Sequence, residues 1–429
     1  MVYFVCFMNM FGLVLFWAKY AESNMRRIYF TVFLSCFVFT YFGGLLIAAL
    51  LYSMLGIEKI SAHDDTTWQI VVLSEICLLF FLAGYAGAAP FRKFIRMRSE
   101  LNWRRKTKGL IYVLLAAFLI SVVAYVIGSG GLVLLKNGGY ENRYDANVGM
   151  GGYSLFFSMG LFACTLLSLR AESAREKRKA LIYTIGYCAI TFVVLGGYRQ
   201  LGFAALFSLG VIALMRRDVS FAKFLVLSGA LIVVTLVVAI FRYTGTSSDG
   251  AGGIYGKLLI FFYDGFAPVD AFYNIVDYCK YHGVSENVIA NQFATMIPRS
   301  LWVDKPLIVL NGGNFYTQNV LGREGSITYS PTLLGELYLA GGSKACLLGS
   351  LISGALLRAL DEIVIRSSRR LVVAFFFSFA FVFVFNLYRE GLSVLTTKLI
   401  LFGGASFVLV CLTKLLASGS KRSGVPRGL

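Results

Sequence analysis

The sequence is short of charge, and the charge it has is unbalanced. Charged residues make up 14% of the 429 residues, whereas a soluble domain carries about a quarter. Hydrophobic residues make up 58%, and 22 acidic residues stand against 40 basic ones. This composition argues against a soluble enzyme and is typical of an integral membrane protein.

Metal-binding and nucleotide-binding patterns are also missing. There are two histidines, and the eight cysteines are scattered without a CxxC pair, which argues against zinc. His63, Asp64 and Asp65 are adjacent, so they cannot all face one ion from regular structure. No P-loop, Rossmann fingerprint or nucleophile elbow occurs, and the predicted outer loops lack an Asp-x-Asp pair for a nucleotide sugar. We therefore predict no metal site and no cofactor.

Apolar runs long enough to cross a membrane occupy most of the chain. We predict an all-α polytopic membrane protein with about eleven transmembrane helices of roughly 20 residues each. Residues 1–429 would form a single domain, and no internal repeat is visible, which weighs against transporters built from repeats. The predicted spans begin near Val2, Ile28, Trp68, Gly109, Tyr153, Ala180, Leu201, Phe224, Pro331, Leu371 and Gly391.

The basic residues indicate how the chain is oriented. Lysine and arginine concentrate in alternate loops, among them Arg92 to Lys108, Arg170 to Lys179 and Arg358 to Arg370. Because cytoplasmic loops are enriched in basic residues, we predict an outer N-terminus and a cytoplasmic C-terminus. The net charge of +18 is thus mainly a topology signal. It favours contact with anionic lipid head groups and makes nucleic-acid binding a poor interpretation.

The longest predicted loop runs from residue 242 to residue 330 on the outer face. It opens polar and glycine-rich and then becomes aromatic and amphipathic, which is not the composition of a linker. We expect one or two helices along the membrane surface, followed by a folded segment over the mouth of the bundle. Since long ordered loops are usually functional, we predict that an active site lies beneath it.

Three arginines lie on the outer side, away from the basic loops. Arg199, Arg242 and Arg389 stand at the ends of apolar segments there. Arginine near hydrocarbon is costly and cannot lose its charge, so three of them predict a site for an anionic group such as a lipid-linked phosphate. Snorkelling of the side chain to the interface is the alternative interpretation.

Three carboxylates are candidates for chemistry near these arginines. Glu390 directly follows Arg389, so it would accept a proton, orient that arginine or merely neutralise it. Asp264 lies in the aromatic part of the long loop, as a general base, a ligand of sugar hydroxyls or a solvated acid on an amphipathic helix. Glu336 lies about one turn into a predicted span, where it would line a polar cavity.

Several strings resemble the Wzy-type polymerases of lipid-linked oligosaccharides, most closely the enterobacterial common antigen polymerase branch. They are D-x-F-x-P from Asp264 to Pro268, IP..LW...P..VLN..N..T..VL from Ile297 to Leu321, and SPTL.G.L...GG from Ser330 to Gly342, in which Glu336 is not a matching position. Three shorter matches contain the three outer arginines. The strings keep the order of the family over about half of the chain, whereas the first five spans match only in hydropathy.

The resemblance implies a glycosyltransferase of the bacterial inner membrane with a periplasmic active site and N-terminus. Such enzymes move a growing glycan en bloc from undecaprenyl pyrophosphate onto a new lipid-linked repeat unit. They need neither nucleotide nor metal and work with a chain-length-regulating co-polymerase. An O-antigen ligase, which transfers glycan to lipid A core, and a flippase for lipid-linked oligosaccharide are the alternatives.

Under this interpretation each candidate residue has a role. We predict that Arg199, Arg242 and Arg389 bind pyrophosphate, because the guanidinium fork supplies countercharge without a metal. Glu390 and Asp264 are the predicted catalytic carboxylates. The predicted glycan-binding or acceptor-binding residues are Asn311, Asn314, Tyr316, Thr317 and Glu336.

Overall fold

The computed structural model describes most of the chain, and among the described residues it contains helices and no strands. The described residues are 1–24, 27–61, 64–90, 103–131, 151–195, 200–243, 253–285, 287–295, 301–306, 309–323, 328–366 and 386–392, with the single positions 297, 378, 384, 404, 407, 408 and 411. The predicted all-α class therefore holds for the part of the chain that is described.

Among the described residues, nine helices lie before the long loop, in the part of the chain where most spans are predicted. They are α1 (Val2–Asn24), α2 (Ile28–Val38), α3 (Gly44–Leu55), α4 (Asp65–Gly87), α5 (Trp103–Gly128), α6 (Gly151–Arg170), α7 (Ala174–Val194), α8 (Gln200–Met215) and α9 (Phe221–Tyr243). A π-helical turn, Phe39–Gly43, joins α2 to α3 without a break. The predicted starts from Val2 to Phe224 all fall within these helices.

Local sequence explains where several of these helices begin and end. Asp64 is the N-cap of α4, and its carboxylate accepts a hydrogen bond from the Thr66 backbone N–H at 3.1 Å. Ser173 and Glu176 form a capping box at the start of α7. After α3 the chain turns at Gly56, whose φ of 64° is the left-handed conformation that favours glycine.

Within the described ranges, three helical segments are long and apolar enough to cross a membrane. They are Ile28–Leu55, Asp65–Gly87 and Thr107–Gly128. Shorter apolar helices cover Val2–Trp17, Phe156–Arg170, Gln200–Met215 and Phe221–Leu231. These helices support a helical membrane protein, whereas the number of eleven spans stays a prediction. The predicted spans from Leu371 and Gly391 lead into segments outside the described residues.

The long loop contains further helices, followed by one long helix. The helices are α10 (Gly253–Phe266), α11 (Val269–His282), α12 (Val288–Ala294), the short α13 (Gly312–Phe315) with a π-helical turn at Tyr316–Val320, and α14 (Leu333–Arg366). The structure therefore confirms that the loop is partly helical, while its location on the periplasmic side stays a prediction.

Close packing of α14 against α4 fixes the frame in which the loop sits. A Cβ atom on Gly84 would collide with the backbone of Leu351, and one on Gly354 would collide with the backbone of Phe81. Small residues of this kind let helix backbones approach closely, which is how helices associate in lipid. The two glycines therefore set the position of α14 along α4.

A buried carboxylate near the C-terminal end of α14 connects this helix to α2. Asp361 accepts hydrogen bonds from the backbone N–H groups of Tyr29 at 2.9 Å and Phe30 at 3.0 Å, which are otherwise unsatisfied at a helix start. The Tyr85 hydroxyl donates to the same carboxylate at 2.8 Å. Asp361 thus joins α14, α2 and α4.

The loop helices pack against the end of this frame where α14 begins. The Tyr273 hydroxyl on α11 donates to Asp64 at 2.5 Å, and the Thr40 hydroxyl donates to the Phe266 carbonyl at 3.2 Å. Gly44 on α3 leaves room for the turn between α10 and α11, because a Cβ there would lie 2.8 Å from the Ala267 carbonyl oxygen. The long loop is therefore anchored beside the first turns of α14.

Candidate active site

The centre of the candidate site is the carboxylate of Glu336, in the first turn of α14. The residue is 1% exposed. Its Oε2 accepts a hydrogen bond from the Leu392 backbone N–H at 2.6 Å. Its Oε1 is buried and has no hydrogen-bond partner among the described residues. A buried polar atom without a partner is rare and requires an explanation such as a catalytic or binding role.

Two glycines make room for this carboxylate. A Cβ on Gly312 would collide with the Glu336 carboxyl group, and a Cβ on Gly391 would collide with its Oε2. Gly312 belongs to the long loop and Gly391 to the segment after Arg389, so two distant parts of the chain close around Glu336. Neither position tolerates a side chain while the carboxylate stays in place.

The backbone around Glu336 is held in uncommon conformations. Thr332 has a φ of 65°, which is unusual for a β-branched residue, and Gly391 has a φ of 77°. The Thr332 side chain still caps α14, because its hydroxyl accepts from the Gly335 N–H at 3.2 Å. Strain of this kind persists only where the surroundings enforce it, and it is concentrated at functional sites.

A π-helical turn from the frame supports the same backbone. The Leu334 N–H donates to the Tyr41 hydroxyl at 3.0 Å, and Tyr41 belongs to the turn between α2 and α3. Further along α14 the helix kinks at Gly341 and Gly342, and the Leu339 carbonyl accepts from the Ser285 N–H at 2.7 Å. The segment that carries Glu336 is therefore fixed from both α3 and the long loop.

The predicted glycan-binding residues of the loop lie together next to Glu336. Asn311 caps α13 by accepting from the Asn314 N–H at 3.0 Å, and Asn314 donates to the Val309 carbonyl at 2.8 Å. The Thr317 hydroxyl donates to the Gly313 carbonyl at 2.8 Å. These groups shape the loop that presents Gly312 to Glu336. Their binding of glycan stays a prediction.

Tyr316 is more deeply placed than a residue at a loop surface. It is 3% exposed, and the Asn274 amide on α11 donates to its hydroxyl at 3.4 Å. Burial raises the pKa of the Tyr316 phenol well above its ordinary value. The side chain therefore stays protonated and joins the π-helical turn of the loop to α11, and its predicted contact with glycan is untested.

The second part of the site surrounds Arg389 and Glu390. The two side chains are 26% and 20% exposed, and Arg389 Nη1 lies 3.9 Å from Glu390 Oε1. Gln200, the first residue of α8, donates from Nε2 to Glu390 Oε1 at 2.6 Å and to Asn386 Oδ1 at 3.0 Å. The buried Arg389 Nε and Asn386 Nδ2 atoms have no hydrogen-bond partner among the described residues.

Residues 386–392 join the two parts of the site. Asn386 and Glu390 contact Gln200 at the start of α8, and Leu392 donates to Glu336 on α14. Sequence reasoning missed Gln200 and Asn386. Only their positions in the sequence could have indicated a role in the site. Gln200 directly follows Arg199, and Asn386 lies three residues before Arg389, on the same face of a helical turn.

The other predicted site residues are placed less completely. Arg199 lies outside the described residues, and only the backbone of Arg242 is described, at the end of α9. Asp264 lies on α10 with its side chain half exposed, and it forms an ion pair with Lys59 at 3.3 Å. Its roles as base or sugar ligand are untested. The contact that Asp264 makes with Lys59 involves neither Glu336 nor Glu390.

A second carboxylate near Asp264 has a perturbed environment. Desolvation raises the pKa of Asp270, and Lys59 opposes the shift while Asp264 adds to it. The Asp270 backbone N–H donates to the Tyr263 hydroxyl at 3.1 Å. Asp270 was not a predicted site residue, and it is the last residue of the string YDGFAPVD.

No metal site is evident in the described part of the chain. Within it, no three His, Cys, Asp or Glu side chains come close enough to hold a metal ion. The site that the structure does show combines a buried carboxylate, an arginine with a neighbouring glutamate, and unpartnered amide and guanidinium donors. Such a set suits an anionic group together with a hydroxyl that must lose a proton.

Comparison with known protein families gives one match. The family described as "WzyE protein, O-antigen assembly polymerase" matches residues 1–425. The match therefore covers both parts of the site and the segment 386–392 that joins them. No solved structure matches the chain.

Proposed function

The chain belongs to the WzyE family of O-antigen assembly polymerases, and from this membership we propose that it polymerises oligosaccharide repeat units linked to undecaprenyl pyrophosphate. The growing glycan is transferred en bloc to a new lipid-linked unit at the periplasmic face of the inner membrane. Membership confirms the predicted Wzy-type polymerase, whereas the enterobacterial common antigen branch stays a prediction.

The observation that carries this proposal is the convergence of three segments on one carboxylate. The string from Ile297 to Leu321 supplies Gly312, the string from Ser330 to Gly342 supplies Glu336, and the segment after Arg389 supplies Gly391 and Leu392. Gly391 and Leu392 lie far along the chain from the first two segments, which are neighbours in sequence. Each segment belongs to the resemblance to Wzy-type polymerases, although Glu336 itself is not one of the matching positions. Their meeting at an unpartnered carboxylate oxygen supports an active site there.

The proposed reaction breaks one bond and forms one. A hydroxyl oxygen of the acceptor sugar attacks the anomeric carbon of the donor glycan. The bond from that carbon to the pyrophosphate oxygen breaks, and its electron pair leaves with the pyrophosphate. The hydroxyl proton passes to a carboxylate, for which Glu390 is our first choice and Asp264 the alternative.

Pyrophosphate is a good leaving group that needs countercharge, and arginine provides it without a metal. Arg389 is partly exposed and is held beside Glu390, so its guanidinium is available to an anion. Arg199 and Arg242 complete the proposed pyrophosphate site. The adjacent loop residues Asn311 and Asn314 are proposed to contact the glycan, and a chain-length-regulating co-polymerase is the proposed protein partner.

Purified enzyme supplied with lipid-linked repeat units tests the proposal directly. The expected product is a ladder of lipid-linked polymers made without nucleotide or added metal. Arg389→Ala should abolish the ladder and Arg389→Lys should restore little, because a point charge cannot replace the planar fork. Arg175→Ala, at an exposed position on α7, is the matched control and should polymerise normally.

The products also discriminate among the alternatives. Glycan found on lipid A core and absent from lipid-linked ladders would overturn the proposal in favour of a ligase. Glu390→Gln should lower turnover by about 10²–10⁴ with donor binding preserved if Glu390 is the base. A stable Glu390→Gln enzyme with near-normal turnover would remove Glu390 from that role and favour Asp264.

A further inference from the structure

Gln200 is the link between the start of α8 and the segment that carries Arg389. Its side-chain amide donates to Glu390 Oε1 at 2.6 Å and to Asn386 Oδ1 at 3.0 Å. One NH₂ group thus fixes the orientation of two side chains that are one turn apart. Asn386 is fully buried and Glu390 is mostly buried, so both bonds form away from bulk water.

The bond to Asn386 determines where the other half of that amide points. Because Oδ1 accepts from Gln200, Nδ2 must point away from Gln200. That nitrogen is buried and has no hydrogen-bond partner among the described residues, and the same is true of Arg389 Nε. Residues three apart lie on the same face of a helical turn, so the two donors share one side of the segment.

Burying a hydrogen-bond donor without a partner destabilises a folded protein, because the donor loses its bond to water and gains none in exchange. The folded protein tolerates this cost at Asn386 and at Arg389, which argues that a ligand completes these bonds. A ligand that accepts hydrogen bonds from one amide and one guanidinium must offer acceptor atoms, such as oxygens. The positive charge of the Arg389 guanidinium favours a ligand that is an anion.

We propose that Gln200 is a positioning residue of this enzyme, which holds Asn386 and Glu390 so that Asn386 Nδ2 and Arg389 Nε are presented to oxygens of the diphosphate. The inference rests on the proposed function, because the diphosphate is the leaving group of that reaction. It adds Asn386 as a diphosphate ligand and assigns to Gln200 a role that acts through its neighbours.

The chemistry at position 200 requires an amide. Glutamate there would place two carboxylates within hydrogen-bonding distance and would offer no donor to Asn386 Oδ1. Asn386 would then turn its amide to donate to the new carboxylate, and its NH₂ group would be lost to the ligand. Leucine would leave Glu390 and Asn386 without their shared donor.

The test measures inhibition by inorganic pyrophosphate, competing with the lipid-linked donor for the purified enzyme. Gln200→Glu and Gln200→Leu should each raise the inhibition constant of pyrophosphate and the KM for the donor at least tenfold, with a smaller change in kcat. Gln69→Leu is the matched control, because Gln69 also uses its side-chain amide as a donor, to the Tyr338 hydroxyl at 3.2 Å, and lies on a different helix, α4. It should leave both constants unchanged.

Asn386→Leu keeps the test decisive if the Gln200 variants fail to fold. It removes the unpartnered donor while Gln200 keeps its bond to Glu390. The expected result is a melting temperature equal to or above that of the wild type, together with the same tenfold loss of pyrophosphate inhibition. A merely structural role for Asn386 would lower the melting temperature and leave the inhibition constant unchanged, which would overturn the proposal.

The failure of this inference differs from the failure of the proposed function. A wild-type enzyme that forms no ladder removes the function itself. Suppose instead that the wild-type enzyme polymerises and that the Gln200 and Asn386 variants have inhibition constants for pyrophosphate within twofold of the wild type. This result would refute the inference and leave the proposed function standing.

Discussion

Gly391→Ala is the most direct test of the packing around Glu336. Gly391 has a φ of 77°, and a Cβ there would overlap Oε2 of Glu336. The substitution therefore has two separate effects, which are strain of the backbone and displacement of the carboxylate. Only the second effect involves the candidate site.

A second glycine separates these two effects. Gly56 has a similar φ of 64°, and a Cβ there meets no atom within 4 Å. Gly56→Ala should therefore cost only the penalty of a left-handed backbone for an L residue, about 1–2 kcal/mol. It serves as the matched control for backbone strain.

The extra cost at Gly391 follows from the bond that must break. To avoid the new methyl group, the carboxylate of Glu336 must move and lose the 2.6 Å bond from the Leu392 N–H. A lost hydrogen bond to a buried group costs about 1–3 kcal/mol. Gly391→Ala should thus be less stable than Gly56→Ala by about that amount, and a change of 1.4 kcal/mol corresponds to about tenfold in an equilibrium or a rate.

Two measurements on purified protein in one detergent check this prediction. Thermal melting should place Gly391→Ala clearly below Gly56→Ala, and polymer formation should fall at least tenfold in the first and little in the second. Combining Gly391→Ala with Glu336→Ala should cost less than the sum of the two changes, because the overlap is gone. Equal stability and equal polymerisation in the two single glycine variants would refute the packing described for Glu336.

Three further predictions concern charge, chemistry and topology. Hydrogen bonding from Tyr273 lowers the pKa of Asp64, so Tyr273→Phe should destabilise the protein at neutral pH. The difference in stability between the two proteins should vanish as the pH falls below about 4, because Asp64 then becomes protonated in both the folded and the unfolded state. Melting curves of both proteins across that range will show it, and a difference that persists at low pH contradicts it. Glu336→Gln replaces the unpartnered oxygen by a donor, so acceptor KM should rise about tenfold or more while melting is little changed; an unchanged KM removes Glu336 from the acceptor site. In intact cells, an impermeant thiol reagent should label a cysteine at Ser285 and not one at Arg105, and the reverse pattern would overturn the predicted orientation.

The helices were predictable because each depends on local sequence. Long apolar runs predict where most of these helices lie, and the predicted starts from Val2 to Phe224 all fall within helices. The predicted start at Pro331 falls just before its helix, which begins at Leu333. The kink of α14 at Gly341 and Gly342 and the π-helical turn at Phe39–Gly43 were not predicted. Both arise from packing partners such as Ser285 and Leu334, which no local pattern reveals.

The residues of the site were partly predictable, but their arrangement was not. Arg389 and Glu390 were expected because paired charges near hydrocarbon are rare without function. Glu336 was expected only to line a cavity, since its contact with Gly312 and Gly391 joins residues that the chain alone does not bring together. Gln200 is neutral, and an amide at a helix start is unremarkable until its partners are known.

The segment 386–392 connects the two parts of the site, because it contacts both Gln200 and Glu336. Its first turn is held by Gln200 through Asn386 and Glu390, and its last residue is held by Glu336. Arg389 lies between these two attachments, so its backbone is held on both sides. A diphosphate that binds Arg389 therefore pulls on the same short segment that seats the Glu336 carboxylate. If Arg389 binds the donor and Glu336 the acceptor, as proposed, this connection holds the two substrates at a fixed separation, and orientation of that kind accounts for a large part of enzymatic rate enhancement.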